Sequence, residues 1–177
     1  MRIISGTYKG KQLATPKDLS VRPTTDKARN AVFSVLFNAV DDAQVLDLFC
    51  GTGSYGLEAL SRGASSAVFI DIDTTWVQKN LKQLEITADV IKGDITRILP
   101  QMTRSFDLIF IDPPYGKYTV DELLTLIKDR EVLAKDGIIV YEESIRTEFN
   151  ISDDHWSLDS EKRYGDTVIR FLSAAEG

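Results

Sequence analysis

In this chain of 177 residues, Gly51-Thr52-Gly53-Ser54-Tyr55-Gly56 directly follows the apolar run Val45-Leu46-Asp47-Leu48-Phe49-Cys50, which places a GxGxxG between a predicted strand and a predicted helix. Glycines let a backbone turn sharply and come close to a ligand, and the free N–H groups at the start of a helix attract electron-rich atoms. Twenty residues past Gly51 stands Asp71, at the end of the next predicted strand, where a carboxylate can accept hydrogen bonds from ribose hydroxyls. Strand, glycine loop, helix and distal acid together point to a nucleoside-containing ligand cradled by Phe49, Gly51, Thr52, Gly53, Gly56 and Asp71. A nicotinamide cofactor uses the same design, so the loop alone leaves the ligand open. Asp47 begins to separate the two, because it can serve the amino group of a methionine-type ligand through loop N–H groups or water. It can equally cap the loop's own amides. Asp94, in Lys92-Gly93-Asp94-Ile95, can accept from the exocyclic amine of adenine or cap the helix that follows.

The most specific signal is Asp112-Pro113-Pro114-Tyr115-Gly116, at the end of the apolar run Leu108-Ile109-Phe110-Ile111. Consecutive prolines donate no backbone hydrogen bonds and hold their carbonyls on a fixed extended path. A carboxylate at Asp112 and a carbonyl at Pro113 that face one point can accept both hydrogens of an exocyclic amino group and aim its lone pair at an electrophile. Pro114 stiffens the loop and Tyr115 offers a face on which a base can stack. The plainer alternative is a rigid loop terminator with a packing tyrosine.

These residues need a scaffold that brings strand ends together. From Gln44 onward short apolar runs alternate with helical segments, which predicts strands over 44–49, 67–71, 89–92, 106–111 and 137–142 and helices over 56–62, 74–84, 95–99 and 120–128. Runs as continuous as 108–111 and 138–141 belong to strands buried on both faces, hence to a parallel sheet. Trp156 to Tyr164 and Thr167 to Leu172 flank Gly165-Asp166, a two-residue turn signal for an antiparallel hairpin. The expected architecture is α/β: a doubly wound, Rossmann-like, mostly parallel sheet closed by an antiparallel C-terminal hairpin. In front of it, Ile3–Ser5 and Lys11–Leu13 read as a short β-hairpin or extended arm, followed by an amphipathic helix over 25–38 capped by Thr24 or Thr25. The length fits one domain over 1–177, divided into an arm and helix over 1–40 and a ligand-binding core over 41–177.

Composition narrows the class. Hydrophobic residues at 43% and charged residues at 27% match an ordinary globular chain. The longest apolar runs fall far short of the roughly 20 residues a membrane-spanning helix needs. The N-terminus turns polar at once, so no secretory leader is expected, and a cytoplasmic location is. One cysteine, Cys50, and one histidine, His155, allow neither an internal disulfide nor a Cys/His zinc cluster, and no metal is expected. Cys50 reads as a small packing residue and His155 as a surface residue. The net charge is −6, yet residues 1–30 hold seven basic side chains against two acidic ones. A basic leader on an acidic body is what one expects if the leader touches phosphates and the body binds something else, and Arg2, Lys9, Lys11, Arg22, Thr24, Lys27 and Arg29 are its candidate phosphate contacts. A solvated basic hairpin is the alternative.

Asp47 to Gly56, Asp71 and Asp112 to Tyr115 resemble the S-adenosylmethionine-dependent methyltransferases of exocyclic amino nitrogens. Arg2-Ile3-Ile4-Ser5-Gly6, Tyr8-Lys9-Gly10, Arg22-Pro23-Thr24-Thr25-Asp26 and Leu57-Glu58-Ala59-Leu60-Ser61-Arg62-Gly63-Ala64 resemble, more narrowly, the bacterial small-subunit ribosomal RNA guanine-N2 methyltransferases, over nearly the whole chain. The resemblance implies S-adenosylmethionine as cofactor and one guanine of small-subunit ribosomal RNA as substrate, with the basic leader helping to hold the RNA; the small basic footprint on an acidic body suggests that proteins already on the RNA help recognition, so a partly assembled ribosomal particle stands beside naked RNA as the form of that substrate. Cys50 stands where alanine is expected in many relatives, and Lys162-Arg163-Tyr164-Gly165 resembles the family's end. Three rival readings stay open: adenine-N6 methylation of DNA or RNA, a nicotinamide oxidoreductase, and an RNA-binding module with a relic pocket.

Overall fold

A computed structural model of the chain describes residues 1–18 and 25–176. Its centre is a seven-stranded sheet in the order β3-β2-β1-β4-β5-β7-β6, built from β1 (Gln44–Leu48), β2 (Ser66–Asp71), β3 (Asp89–Lys92), β4 (Phe106–Ile111), β5 (Leu133–Ser144), β6 (Trp156–Tyr164) and β7 (Thr167–Ala174). The first five pair in parallel, and β7 runs antiparallel to both β5 and β6. Side chains alternate between two apolar layers, as the pleat dictates. Val45, Phe69, Phe110 and Val140 face one layer, with α1 (Asp26–Leu36), α2 (Ser54–Ser61) and α3 (Thr75–Leu84). Leu46, Leu48, Ile70, Ile109, Ile111 and Tyr141 face the other, against α4 (Ile95–Ile98) and α5 (Val120–Asp129).

The chain travels outward from β1 to β3, then returns to add β4 and β5 on the other side. The strand order therefore reverses between β1 and β4, and a crevice opens at their carboxyl ends. That crevice is where Asp47, the glycine loop and Asp112 emerge.

The predicted elements hold with three main differences. The fifth strand begins at Leu133, because pairing with β4 resumes at Phe106↔Leu133 across an irregularity at which Asp136 takes a left-handed backbone, and it runs on to Ser144 by pairing with Thr167. The first helix ends at Leu36 and passes into a 3-10 turn over Phe37–Val40. The second begins at Ser54, inside the glycine motif, with Gly53 as its N-cap at φ 80°. The N-terminal segment folds back on itself as the expected short hairpin, with an antiparallel bridge at Arg2↔Gln12 and backbone N–H groups of Ile3, Gly10 and Leu13 donating to the Lys11, Ile3 and Met1 carbonyls at 2.9, 2.8 and 2.9 Å. Thr25 caps α1 by accepting from the Ala28 N–H at 3.1 Å; Thr24 lies outside the described residues.

The arm is fixed mainly by one buried carboxylate. Glu58, on α2, accepts from the Ile4 and Ser5 N–H groups at 2.9 and 3.0 Å and from Arg62 Nε at 2.9 Å, and its Oε2 lies 3.6 Å from Arg29 Nε. Arg29 is fully buried and donates to the Arg2 carbonyl and to Asp26. Farther along, Gly6 passes so close to α2 that a Cβ there would sit 1.8 Å from the Ser61 carbonyl oxygen, so a side chain at this position would push the arm away. Removing a carboxylate that offsets a buried guanidinium costs about 3–5 kcal/mol. Glu58→Ala is therefore expected to lower unfolding stability in urea by that order and to expose the Ile4 and Ser5 amides to rapid hydrogen exchange.

Candidate active site

Parallel registers bring the site's carboxylates to one edge. Asp47 pairs with Phe69 on β2 and Phe110 on β4, so it leaves the sheet two residues below Asp71 and Asp112 on their respective strands. After β1 the backbone turns left-handed at Phe49 (φ 56°), whose half-buried ring packs on Tyr118 at a centroid distance of 5.0 Å. The glycine loop then closes with the Gly53 N–H donating to the Cys50 carbonyl at 2.7 Å. Gly56 lies against β2 so tightly that a Cβ would come within 2.4 Å of the Phe69 ring. This close helix–strand approach lets the Gly56 N–H donate to Asp47 Oδ2 at 2.9 Å.

Asp71 grips the loop from the second strand. Its Oδ2 accepts from the Gly51 N–H at 2.8 Å and its Oδ1 from the Asp73 N–H at 3.1 Å. The site-facing side of Gly51 is open, with nothing within 4 Å of where a Cβ would stand. Thr52 is held by its carbonyl, which accepts from the buried Asn80 side chain at 2.9 Å. Asn80 also pairs with both backbone groups of Ala14, and Met1 Sδ lies 3.7 Å from Thr52 Oγ1, so the two ends of the arm meet the cofactor-type loop.

At the end of β4, Asp112 is exposed, Pro113 half-buried, and Tyr115 stands 69% exposed. The Lys117 N–H donates to the Pro114 carbonyl at 3.4 Å, closing a turn that carries Tyr115 outward. Asp112's carboxyl is raised well above the ordinary carboxylate range by the protein mass around the crevice, then by the negative charges of Glu142 and Asp47. Its exposure admits water and moderates the effect. Asp47 is 3% exposed, and burial pushes its carboxyl up to about 8 against the pull of the Gly56 N–H, with Asp71 adding repulsion. Cys50 is 7% exposed, and burial drives its thiol far up, so it is a packing residue without nucleophilic character.

The other expected site residues divide. Asp94 is the N-cap of α4, its Oδ1 accepting from the Thr96 N–H at 2.9 Å and the Thr96 hydroxyl at 2.7 Å, and these bonds lower its carboxyl. Arg2, Lys9, Lys11 and Lys27 are exposed on the arm and first helix. Arg29 corrects the sequence reading: its guanidinium is sealed in the arm joint, as the Glu58 contact requires, and presents no charge to a partner. Arg22 and Thr24 lie outside the described residues. A groove of about 540 Å³, lined by Ser5, Phe33, Phe37 and Arg62, lies where α1 and α2 end, toward the amino end of the sheet and away from these carboxylates. His155 sits beside Lys128, its Nε2 2.9 Å from the ammonium. Among the described residues no group of side chains is arranged to hold a metal, and no helix is long and apolar enough to cross a membrane.

Sequence reasoning missed Glu58, Asn80, Tyr55 and Glu142. Glu142 had a readable signal, since it follows Ile138-Ile139-Val140-Tyr141 as Asp112 follows Leu108-Ile109-Phe110-Ile111. Glu58 and Asn80 had none, because their partners are backbone groups of a distant segment.

Residues 1–173 match the family described as "Conserved hypothetical protein 95". Ribosomal RNA small subunit methyltransferase D of Escherichia coli strain K12 is 34% identical over 174 residues, which cover 96% of this chain and 88% of that protein. YlbH of Bacillus subtilis is 41% identical over 156 residues, covering 84% of this chain and 85% of the other. The chain belongs to this family. The likeness extends to three dimensions: the solved structure of yhhF from Escherichia coli superposes with a TM-score of 0.89 at 34% identity, covering 99% of this chain and 98% of that one. The family match takes in the arm as well as the sheet, so the Glu58 joint lies within the family's shared length.

A carboxyl that binds its proton more tightly folded than unfolded favours the fold at low pH. Asp47's contribution is complete below its unfolded value of 3.8 and is lost as pH rises toward about 8. Asp47→Asn is expected to flatten the fall in Tm across that interval, as read by thermal denaturation at stepped pH.

Proposed function

We propose that the protein transfers a methyl group from S-adenosylmethionine to the exocyclic N2 of a guanine in small-subunit ribosomal RNA. The observation that carries this reading is the position of Asp112-Pro113-Pro114-Tyr115 at the carboxyl end of β4, across the strand-order reversal from the glycine loop and Asp71. Relatives named ribosomal RNA small subunit methyltransferase D support the RNA class and the methyl chemistry. The chain works as one domain, with the sheet holding the cofactor and the arm holding RNA, in the cytoplasm and on RNA or an assembling ribosomal particle.

The residues present fit the cofactor. An open face at Gly51, an acid at the end of β2 and a second acid under the loop match a ligand with ribose hydroxyls and a cationic amino acid end. Asp71 would hold the ribose, Asp47 the ammonium through the loop, Asp94 Oδ2 the adenine amine, and Phe49, Gly51, Thr52, Gly53 and Gly56 the remaining walls. Bound there, S-adenosylmethionine supplies an electrophilic methyl carbon on a sulfonium. The chain's own part is positional. Methyl transfer is an in-line displacement, and fixing the amine in line with the methyl carbon lowers the barrier. Asp112 and the Pro113 carbonyl accept the two amine hydrogens and favour positive charge developing on that nitrogen. A base in folded RNA has to leave its stack, and exposed Tyr115 gives it a face to rest on. Arg2, Lys9, Lys11 and Lys27 meet the RNA phosphates with the salt dependence such contacts carry.

The test is transfer of a labelled methyl group from S-adenosylmethionine to small-subunit ribosomal RNA and to protein-bearing particles, followed by nucleoside analysis. N2-methylguanosine is the expected product. N6-methyladenosine would keep the pocket and overturn the base, and absence of label on both substrates would overturn the activity. Asp112→Ala is expected to lose at least about 10²-fold in turnover while cofactor binding stays within a few fold. Asp71→Ala, which removes charge-assisted hydrogen bonds to the ribose, is expected to weaken cofactor binding by about tenfold or more in calorimetry.

A further inference from the structure

The same strand alternation that aims Asp112 aims a second acid beside it. Ile111 pairs with Tyr141, so the next residues, Asp112 and Glu142, stand at adjacent ends of β4 and β5. Phe110 and Val140 face the layer formed with α1 and α2, and two residues on Asp112 and Glu142 point to that same side, as does Asp47 on β1. Glu142 is only 7% exposed, and Tyr55 donates its hydroxyl to Oε2 at 2.8 Å. Tyr55 is itself immobilised: it is 5% exposed, and its ring stacks on Phe110 at 4.8 Å and 10°. Glu142 is thus a carboxyl group taken out of water, and the Tyr55 hydroxyl holds one of its oxygens in place.

We propose that Glu142 is a positioning residue for methyl transfer: locked by the Tyr55 hydroxyl at the end of β5, it acts through neighbouring Asp112 to make that carboxylate a stronger acceptor for the amine and its proton. The inference rests on the reading above in which Asp112 receives the amine. As the nitrogen forms its bond to the methyl carbon, the carbon–sulfur bond breaks with its electron pair left on a neutral thioether, and the nitrogen then carries one proton too many. That proton passes to an Asp112 oxygen, giving the carboxylic acid, and then to water. A second negative charge nearby raises Asp112's affinity for it. The upward displacement of Asp112's carboxyl, caused by surrounding protein and then by Glu142 and Asp47, agrees with this placement. Other groups act less directly. Tyr141, on the opposite face of β5, is itself raised by burial and then by Glu143 and Asp112, Glu143 is paired with Arg170 of β7, and Asp71 bears on Asp47.

Glu142→Gln keeps the shape and the acceptor for Tyr55 while removing the charge, and Tyr55→Phe removes the lock. Carboxyl-carbon NMR titration of Asp112 in the free full-length protein reads the effect without turnover, and the acid limb of the methyl-transfer rate reads it with turnover. Protonated Asp112 cannot accept the amine, so transfer falls as pH falls. Loss of Glu142's charge lowers Asp112's proton affinity, and the titration midpoint and the acid limb are both expected to move toward lower pH by about one unit in Glu142→Gln. Tyr55→Phe is expected to move both in the same direction by less. An unmoved midpoint in a folded Glu142→Gln protein, or in Tyr55→Phe where the glutamine variant does not fold, overturns the inference. Asp112→Asn separates the two levels: full activity in that variant overturns the reading of Asp112 itself, whereas an inactive variant with an unmoved Asp112 midpoint in Glu142→Gln overturns Glu142's role alone.

Discussion

The parallel pairing of β1 with β2 on one side and β4 on the other governs everything else in the molecule. Val45, Leu46 and Leu48 are closed to solvent, and both faces of the strand are covered, so chemistry can emerge only where the strand ends. Registry then decides what emerges. A slip of one residue between β1 and β4 would exchange Phe110, which stacks on Tyr55 and meets Phe33 at a tilt, for Ile111, and would turn Asp112 into the opposite layer. The aromatic contacts that fix packing below the crevice are therefore what fix the direction of the carboxylates above it.

The arm obeys a different constraint. Its hairpin is closed by a few backbone hydrogen bonds of its own, and its place on the body is set by α2, through Glu58 and the close pass of Gly6, and by α3 through Asn80. Charged groups in that joint give up hydration, and the network is stable only because each contact supports the next: Glu58 orients Arg29, and Arg29 ties the arm's backbone at Arg2 to Asp26 on the first helix. This explains why the basic leader can carry exposed lysines at its surface and still be rigid at its base.

Much of the fold was legible because it depends on local pattern. Continuous apolar runs identified β4 and the core of β5, and Gly165-Asp166 marked the β6–β7 turn, since the period of burial is written directly into residue order. The added length of β5 was not legible, because residues 133–136 join the strand through pairing with Phe106 and a left-handed turn at Asp136 that no apolar periodicity signals. In the site, the glycine loop, Asp71 and the Asp-Pro-Pro-Tyr turn could be located because their chemistry is tied to strand ends. Arg29 was misjudged for the opposite reason: charge counts treat every cation as exposed, whereas its burial follows from an acid on another helix far along the sequence.

The division of charge follows from the two ligands the proposed reaction must handle together. S-adenosylmethionine is cationic at its sulfonium and ammonium, so its binding favours the ionised forms of the carboxyl groups of Asp47, Asp112 and Glu142 that floor the crevice, and transfer of the methyl group removes the sulfonium charge and part of that attraction. RNA is a polyanion and would be repelled by the same floor. Setting the cations on an arm, anchored to the body by buried contacts, lets phosphates be attracted at a distance from the acids while the base alone enters among them. The anchoring matters as much as the charge: at physiological salt, fields of exposed groups fade over about 8 Å. An arm free to move would lose the fixed offset between phosphate grip and acidic floor on which delivery of a single base depends.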